Sequence, residues 1–254
     1  MDAIILAAGR GMRLASTHQL PKGFLEVGSL PIIVQSIHTL WDFGIRRIHL
    51  ITGHDAERYD HLASGMEGVS TVFNHQYATA GNLHTLYCAT EIVSGAFLLL
   101  ESDLLYEPRA LEALISHNSP NAILLSGRTD HGDEVYVETD AGRLKNLSKS
   151  RSLQSVATGE FVGISKLSRD LFECMQAKIT RARAASSNLA YEDGLVAAGA
   201  DIPIACPVVD DLIWCEIDDP SHCAIAKEKI YPRLQSARAA DQSTNHCGPG
   251  QRRR

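Results

Sequence analysis

Positive charge is in short supply in this chain. Its 24 Lys and Arg stand against 30 Asp and Glu, a formal net charge of −6 over 254 residues. Nucleic-acid binding works through a basic field, so that class of partner is excluded. A local phosphate site is not, because a few placed cations suffice. Aromatic residues are only 6%, and few cluster in the second half, so an aromatic cage for a quaternary ammonium is disfavoured. The six cysteines, at positions 88, 174, 206, 215, 223 and 247, form no CxxC pair. That spacing predicts reduced thiols, with a zinc site as the minor alternative. No apolar run is long enough to cross a bilayer, and no secretory leader opens the sequence. A cytoplasmic protein with no membrane partner is expected. Neither the Walker A spacing nor the dinucleotide glycine fingerprint occurs, which argues against a P-loop and an NAD-binding domain.

What the chain does have is 44% hydrophobic residues, enough for one substantial core. Short runs rich in Ile, Leu and Val predict buried strands at 3–6, 48–52, 69–74, 96–101 and 122–126. Helical patterns lie between them at 31–43, 55–66, 82–93 and 108–116. Such alternation predicts an α/β fold, a Rossmann-like, mostly parallel sheet flanked by helices. Ligands then bind beyond the carboxyl ends of the strands. Further on, 134–139 and 144–148 read as a hairpin around Asp140-Ala141-Gly142-Arg143. Residues 161–164 and parts of 202–217 read as strands, and 167–180 and 191–198 as helices. This second half is expected to form an accessory β-rich region covering the site. Residues 1–235 are expected to form one domain. From Ser236 the sequence is polar and irregular, so 236–254 is expected to be a disordered tail.

Four stretches carry chemistry. The first is Leu6-Ala7-Ala8-Gly9-Arg10-Gly11-Met12-Arg13-Leu14, followed by Pro21-Lys22. A strand end gives way to small residues, so phosphates can approach backbone N–H groups, and Arg13 and Lys22 supply cations. The second is Glu101-Ser102-Asp103, acids just past a buried strand, where one or two carboxylates suffice to hold magnesium beside a substrate phosphate. The third is Trp214-Cys215-Glu216-Ile217-Asp218, in which strand alternation puts Glu216 and Asp218 on one face. The fourth is Gly81-Asn82-Leu83-His84-Thr85-Leu86-Tyr87, where Asn82 at a helix start can cap the helix and read a base edge. The histidines 18, 54, 75 and 84 show no metal-ligand spacing.

The first loop resembles the characteristic loop of the sugar-phosphate nucleotidyltransferase superfamily. In that likeness Leu6 to Leu14 hold the triphosphate and base, with Leu6, Ala7, Ala8, Gly9 and Gly11 forming the cradle. Arg13 corresponds to the phosphate-binding arginine, and Lys22 to the lysine that steadies the α-phosphate region. Asp103 is implied as the primary Mg2+ ligand, and a late acid, Asp218 before Glu216, as its complement. Glu101 departs from the acid patterns common at that position. Tyr77, Gly81 to Tyr87 and Val72-Phe73-Asn74 resemble the phosphocholine cytidylyltransferases and their phosphonate-using kin, with Thr85 where Ser is common. Ser126-Gly127, 133–137 and 144–149 are similar to the 2-aminoethylphosphonate cytidylyltransferases.

The implied activity is transfer of CMP from CTP to a small phosphonate or phosphate acid, with release of pyrophosphate. Such an oxygen is already ionised near neutral pH and needs no general base. Lys149 is the candidate cation for the acceptor's oxygens. A primary ammonium at the far end of the acceptor wants carboxylates, and Asp133, Glu134, Glu192 and Asp193 are available. For Glu192 and Asp193 the first turn of a helix is the alternative role. The acceptors then rank 2-aminoethylphosphonate first, with phosphocholine and 2-hydroxyethylphosphonate behind. The rivals are a hexose-1-phosphate nucleotidyltransferase and a nucleotide-binding regulatory domain without activity. A homodimer is compatible with all of these.

Overall fold

In the computed structural model, residues 1–14, 20–129, 132, 134–150, 152 and 154–245 are described. The first buried run forms β1 (Asp2–Ala7), and a small antiparallel pair, β2 (Glu26–Val27) and β3 (Leu30–Pro31), follows it outside the main sheet. Strand β1 lies between β4 (Ile48–Thr52) and β6 (Phe97–Glu101), parallel to both, and β4 is followed outward by the parallel strand β5 (Val69–Phe73). Beyond β6 the polarity changes. Strand β11 (Gly159–Leu167) runs antiparallel to β6 and to β8 (Ala122–Ser126), and it also meets the hairpin of β9 (Tyr136–Asp140) and β10 (Arg143–Ser148). A short β12 (Val208–Val209) adds in parallel to β8. The accessory strands therefore extend the main sheet.

Side chains of a strand alternate between faces, and that alternation splits the core in two. Ala3, Ile5 and Ala7 of β1 pack with Ile33, Ile37 and Leu40 of α1 (Ile32–Asp42) and with Leu111 and Leu114 of α4 (Arg109–Ile115). Ile4 and Leu6 face the other way. They meet Leu83, Leu86 and Tyr87 of α3 (Asn82–Tyr87), Leu171 and Phe172 of α5 (Arg169–Lys178) and Leu195 of α7 (Tyr191–Gly199). Each such Leu, Ile or Phe is fully buried, worth about 1.5–3 kcal/mol apiece. Helix α2 (Ala56–Ser64) covers β4 and β5.

A third cluster closes the end of the sheet. Strand β7 (Leu104–Tyr106), too short and too near the acids to be read from sequence, pairs antiparallel with β13 (Trp214–Glu216). Leu105, Cys215 and Ile217 there pack with Leu14, Leu25, Val27, Ile230 and Leu234. The glycine loop and the chain's last helices are thereby tied to one small core.

Several boundaries differ from the sequence reading. Helix α3 ends at Tyr87 instead of running to Val93: the Thr90 hydroxyl donates to Tyr87 O at 2.6 Å and the backbone continues in turns. Helix α5 starts late because Leu167 still belongs to β11 and Ser168 Oγ accepts from Leu171 N–H as the cap. A short helix at Arg181–Ala185 (α6) was not anticipated. The expectation of a disordered tail from Ser236 is corrected. After α8 (Pro220–Ile225) and a π-helical turn at Ala226–Ile230, α9 runs from Tyr231 to Asn245. Ala237, Ala239 and Ala240, with Arg238 between, are strong helix formers that a polarity reading overlooks. Residues 246–254 lie outside the described residues.

Gly163 has φ +82°, and a Cβ there would come within 3.2 Å of Leu104 and 3.6 Å of Glu101. It sits where the β11–β8 register shifts, and only glycine adopts that conformation without strain. Gly163→Ala is expected to cost about 1–2 kcal/mol, read as a lower urea midpoint at unchanged m.

Candidate active site

The carboxyl ends of β1 and β6 open into a cavity of about 240 Å³. Its lining takes Leu6, Ala8, Gly9 and Gly11 from the first loop, with Lys22 and Tyr59, and Tyr77, Ala80, Asn82 and Thr85 from the segment around α3. Glu101, Ser102, Asp103 and Glu216 form the floor. The small residues after β1 keep backbone N–H groups close to the open space, and Gly11 takes φ +57° to complete the turn. Ala7 is corrected: it is buried on the opposite face, in the core with α1, since alternation along β1 turns it away.

The pairing of β7 with β13 sets Glu216 opposite Leu104, and Ile217 N–H donates to Asp103 O at 3.0 Å. Acids more than a hundred residues apart in the chain therefore meet. Lys22 Nζ donates to Asp103 Oδ2 at 2.9 Å and also to Asp218 Oδ1. Arg13 Nη2 donates to the other Asp218 oxygen at 2.5 Å. Asp218 is buried and Arg13 largely exposed. Burial opposes the charge on the Lys22 ammonium, but Asp103 and Asp218 outweigh it, so its pKa is raised.

Beside this pair lies a second acidic group. Carboxylate oxygens of Glu101, Asp103 and Glu216 all fall within 4.8 Å of one another. Burial, then the charges of Glu192 and Asp103, push Glu101 up to about 8, against the pull of the Tyr191 hydroxyl and Lys149. Burial and the charges of Glu101, Asp103 and Asp218 hold Glu216 well above the usual carboxylate range. Like charges so close cannot all ionise without a cation among them. The donor set is all oxygen, which suits a hard divalent ion such as magnesium. Asp103 is in this group, and so is Glu216, the late acid ranked second; Asp218, ranked first, is not. Glu101, whose role the sequence left in doubt, joins them, whereas Asp218 is engaged by Arg13 and Lys22.

The remaining expected residues divide. Thr85 is buried on the cavity wall and its hydroxyl accepts from Asn74 Nδ2 at 3.0 Å. Asn82 does not cap its own helix, because Gly81 holds that position; its Oδ1 accepts from Tyr191 N–H at 2.7 Å. Glu192 is raised by burial, eased by Lys149 and Asn82, and its Oε2 has no hydrogen-bond partner. The exposed Lys149 acts electrostatically on Glu101, Glu192 and Glu216 alike. Asp193 instead accepts from Ala190 N–H at 2.9 Å and serves the start of α7, the helix-turn alternative. Glu134 accepts from Gly132 N–H at 2.6 Å and from the Tyr136 hydroxyl at 3.3 Å, and it does not line the cavity. Asp133 lies outside the described residues. The reading missed Tyr59 and Ala80 in the cavity lining, and the Tyr191 hydroxyl, which donates to Glu101 Oε1 at 2.8 Å. A tyrosine one residue before a buried acid was the available signal.

Comparison with known proteins places this arrangement. The family described as the MobA-like NTP transferase domain matches residues 3–246. The CMP-5'-(3-aminopropyl)phosphonate synthase of Streptomyces rubellomurinus is 28% identical, over 93% of this chain and 40% of that protein. The choline-phosphate cytidylyltransferase of Streptococcus pneumoniae is 36% identical, over 42% of this chain and 47% of its own. The chain thus spans about half or less of these relatives' lengths. Among solved structures, the inositol-1-phosphate CTP transferase from T. maritima superposes with a TM-score of 0.74 at 20% identity, covering 92% of this chain and 94% of that one. Among the described residues, no helix is long and apolar enough to cross a membrane.

The raised pKa of Glu101 has a measurable sign. Folded, it keeps its proton where the unfolded chain has lost it, so it withdraws stability as pH rises from the ordinary 4.5 to about 8. Glu101→Gln keeps an acceptor for Tyr191 and removes that decline. In chelator-treated buffer, variant and native chain are expected to match at low pH, with the variant more stable above about 8, by urea titration across pH.

Proposed function

The chain belongs to the MobA-like NTP transferase domain family, and on that premise we propose that it transfers CMP from CTP to a small phosphonate or phosphate acid, 2-aminoethylphosphonate before others. The observation that carries this reading is the meeting of Lys22, Asp103 and Asp218 beside the glycine loop, next to the carboxylates of Glu101 and Glu216. An acceptor oxygen attacks the α-phosphorus, a new P–O bond forms, and the bond to pyrophosphate breaks. Because that oxygen is already an anion, the barrier lies in bringing two anions together and in stabilising spread charge. Backbone N–H groups of residues 8–11 receive the phosphates, and Arg13 and Lys22 offset their charge. Asp103 and Glu216, with Asp218 or Glu101, would hold Mg2+, which supplies Lewis acidity and a template when bound.

The acceptor's far end falls to Glu192, which lies behind the cavity lining and acts electrostatically on Glu101. A primary ammonium brings three donors, and Glu192 Oε2 offers an acceptor with no other partner. The aminopropylphosphonate relative supports the same class. Phosphocholine is the second reading, favoured by the 36% identity to the choline-phosphate enzyme over 108 residues.

The test is to incubate the chain with Mg2+ and each pairing of CTP, UTP, GTP or dTTP with these acceptors and hexose 1-phosphates, and to identify the conjugate by mass. A CMP conjugate of aminoethylphosphonate in the highest yield is expected; a sugar conjugate overturns the reading. With the best pair, Asp103→Ala is expected to reduce pyrophosphate release to background. Lys22→Ala is expected to lower turnover roughly 100-fold or more, the usual cost of losing one charge-stabilising donor.

A further inference from the structure

A second cavity of about 180 Å³ lies at the carboxyl ends of another parallel pair, β8 and β12, and shares no lining residue with the first cavity. Its walls carry Arg128, Thr129, Asp210, Trp214 and Arg233. Trp214 is 8% exposed, and its indole Nε1–H has no hydrogen-bond partner. A buried donor left unpaired costs about 1–3 kcal/mol, so such groups call for a reason. Arg128 spends one nitrogen on Gln154 O at 3.2 Å, and the Thr129 hydroxyl is spent on Glu160. Asp211 is occupied by Arg109 at 3.1 Å. Donors therefore exceed acceptors here, with Asp210 as one remaining acceptor. Ile230, the last residue of the π-helical turn, completes the lining, and such turns recur at functional sites.

We propose that this cavity is a binding site for a phosphoryl or phosphonyl monoanion, distinct from the catalytic cleft. The unprotonated oxygens take the two guanidinium groups and, once the lining shifts to uncover it, the Trp214 N–H, which is buried as the cavity stands; the remaining P–OH donates to Asp210. Sulfate, which has no proton to donate near neutral pH, is disfavoured by the same carboxylate. Trp214 lies two residues before Glu216 on β13, on the same strand face, so occupancy is felt at the catalytic acids. The proposal does not depend on the transfer reaction proposed above.

The experiment uses Trp41→Phe, which leaves Trp214 as the sole indole, with fluorescence followed at constant ionic strength near pH 7. Inorganic phosphate is expected to give a saturable change, and sulfate a response at least about tenfold weaker. A response to methylphosphonate as well assigns organic phosphonates to the site; a response to phosphate alone assigns the free ion. Arg233→Gln is expected to weaken phosphate binding by about tenfold or more while leaving phosphate-free turnover unchanged. Asp210→Asn is expected to bring sulfate level with phosphate. Prior saturation with CTP should leave the response in place. No saturable change, an unaltered response in Arg233→Gln, equal binding of sulfate by the native lining, or loss of the response with CTP overturns the proposal. The Trp214 indole N–H resonance of the isotope-labelled native chain gives the same readout without substitution.

Discussion

The site depends on one electrostatic constraint: too many carboxylates in too little space. Glu101, Asp103 and Glu216 crowd one corner, and Asp218 and Glu192 stand close enough for their charges to be felt there. Such a group is tolerable only if protons are retained or cations supplied. The chain does both. Lys22 inserts an ammonium between two of the acids, Arg13 caps one from outside, and Glu101 and Glu216 hold their protons longer than usual. That repulsion is what a divalent cation would relieve on entering the site.

Lys22 sits at the junction of the two charge systems. Its ammonium compensates the acids, yet it also lines the nucleotide cleft beside Gly9 and Gly11. The same group can therefore serve carboxylates or phosphates. On the proposed function, nucleotide phosphates would compete with Asp103 and Asp218 for this one positive charge, linking occupancy of the cleft to the arrangement of its acids.

Much of the scaffold was legible because short apolar runs leave few alternatives. Residues 48–52 and 122–126 are short, rich in Ile and Leu and bounded by polar residues or glycine, which favours buried strands, and they are β4 and β8. The glycine loop and Asp103 follow such strands, whereas Glu216 stood out only as an acid in an alternating stretch. What the sequence hid was long-range or directional. The pairing of Leu104–Tyr106 with Trp214–Glu216 joins three-residue segments distant in the chain, and no periodicity marks it. The inward turn of Ala7 needed the sheet's faces to be known, and the use of Asn82 needed the position of α7. Asp193 looked like a ligand-binding acid but caps a helix, because a carboxylate three residues past a helix start has a nearer customer in the backbone.

The tie between α3 and α7 has a consequence for how the cleft works. Asn82 holds Tyr191 N–H, Leu83 N–H donates to Leu189 O and Gly81 N–H to Ser187 O, so the two helix starts are riveted at three points. One of them walls the nucleotide cleft; the other carries Tyr191 and Glu192, which address Glu101 and the proposed acceptor. The halves cannot breathe separately. A displacement of either helix start is therefore carried to its neighbour, so the wall that holds Asn82 and Thr85 and the segment that holds Tyr191 and Glu192 shift as one.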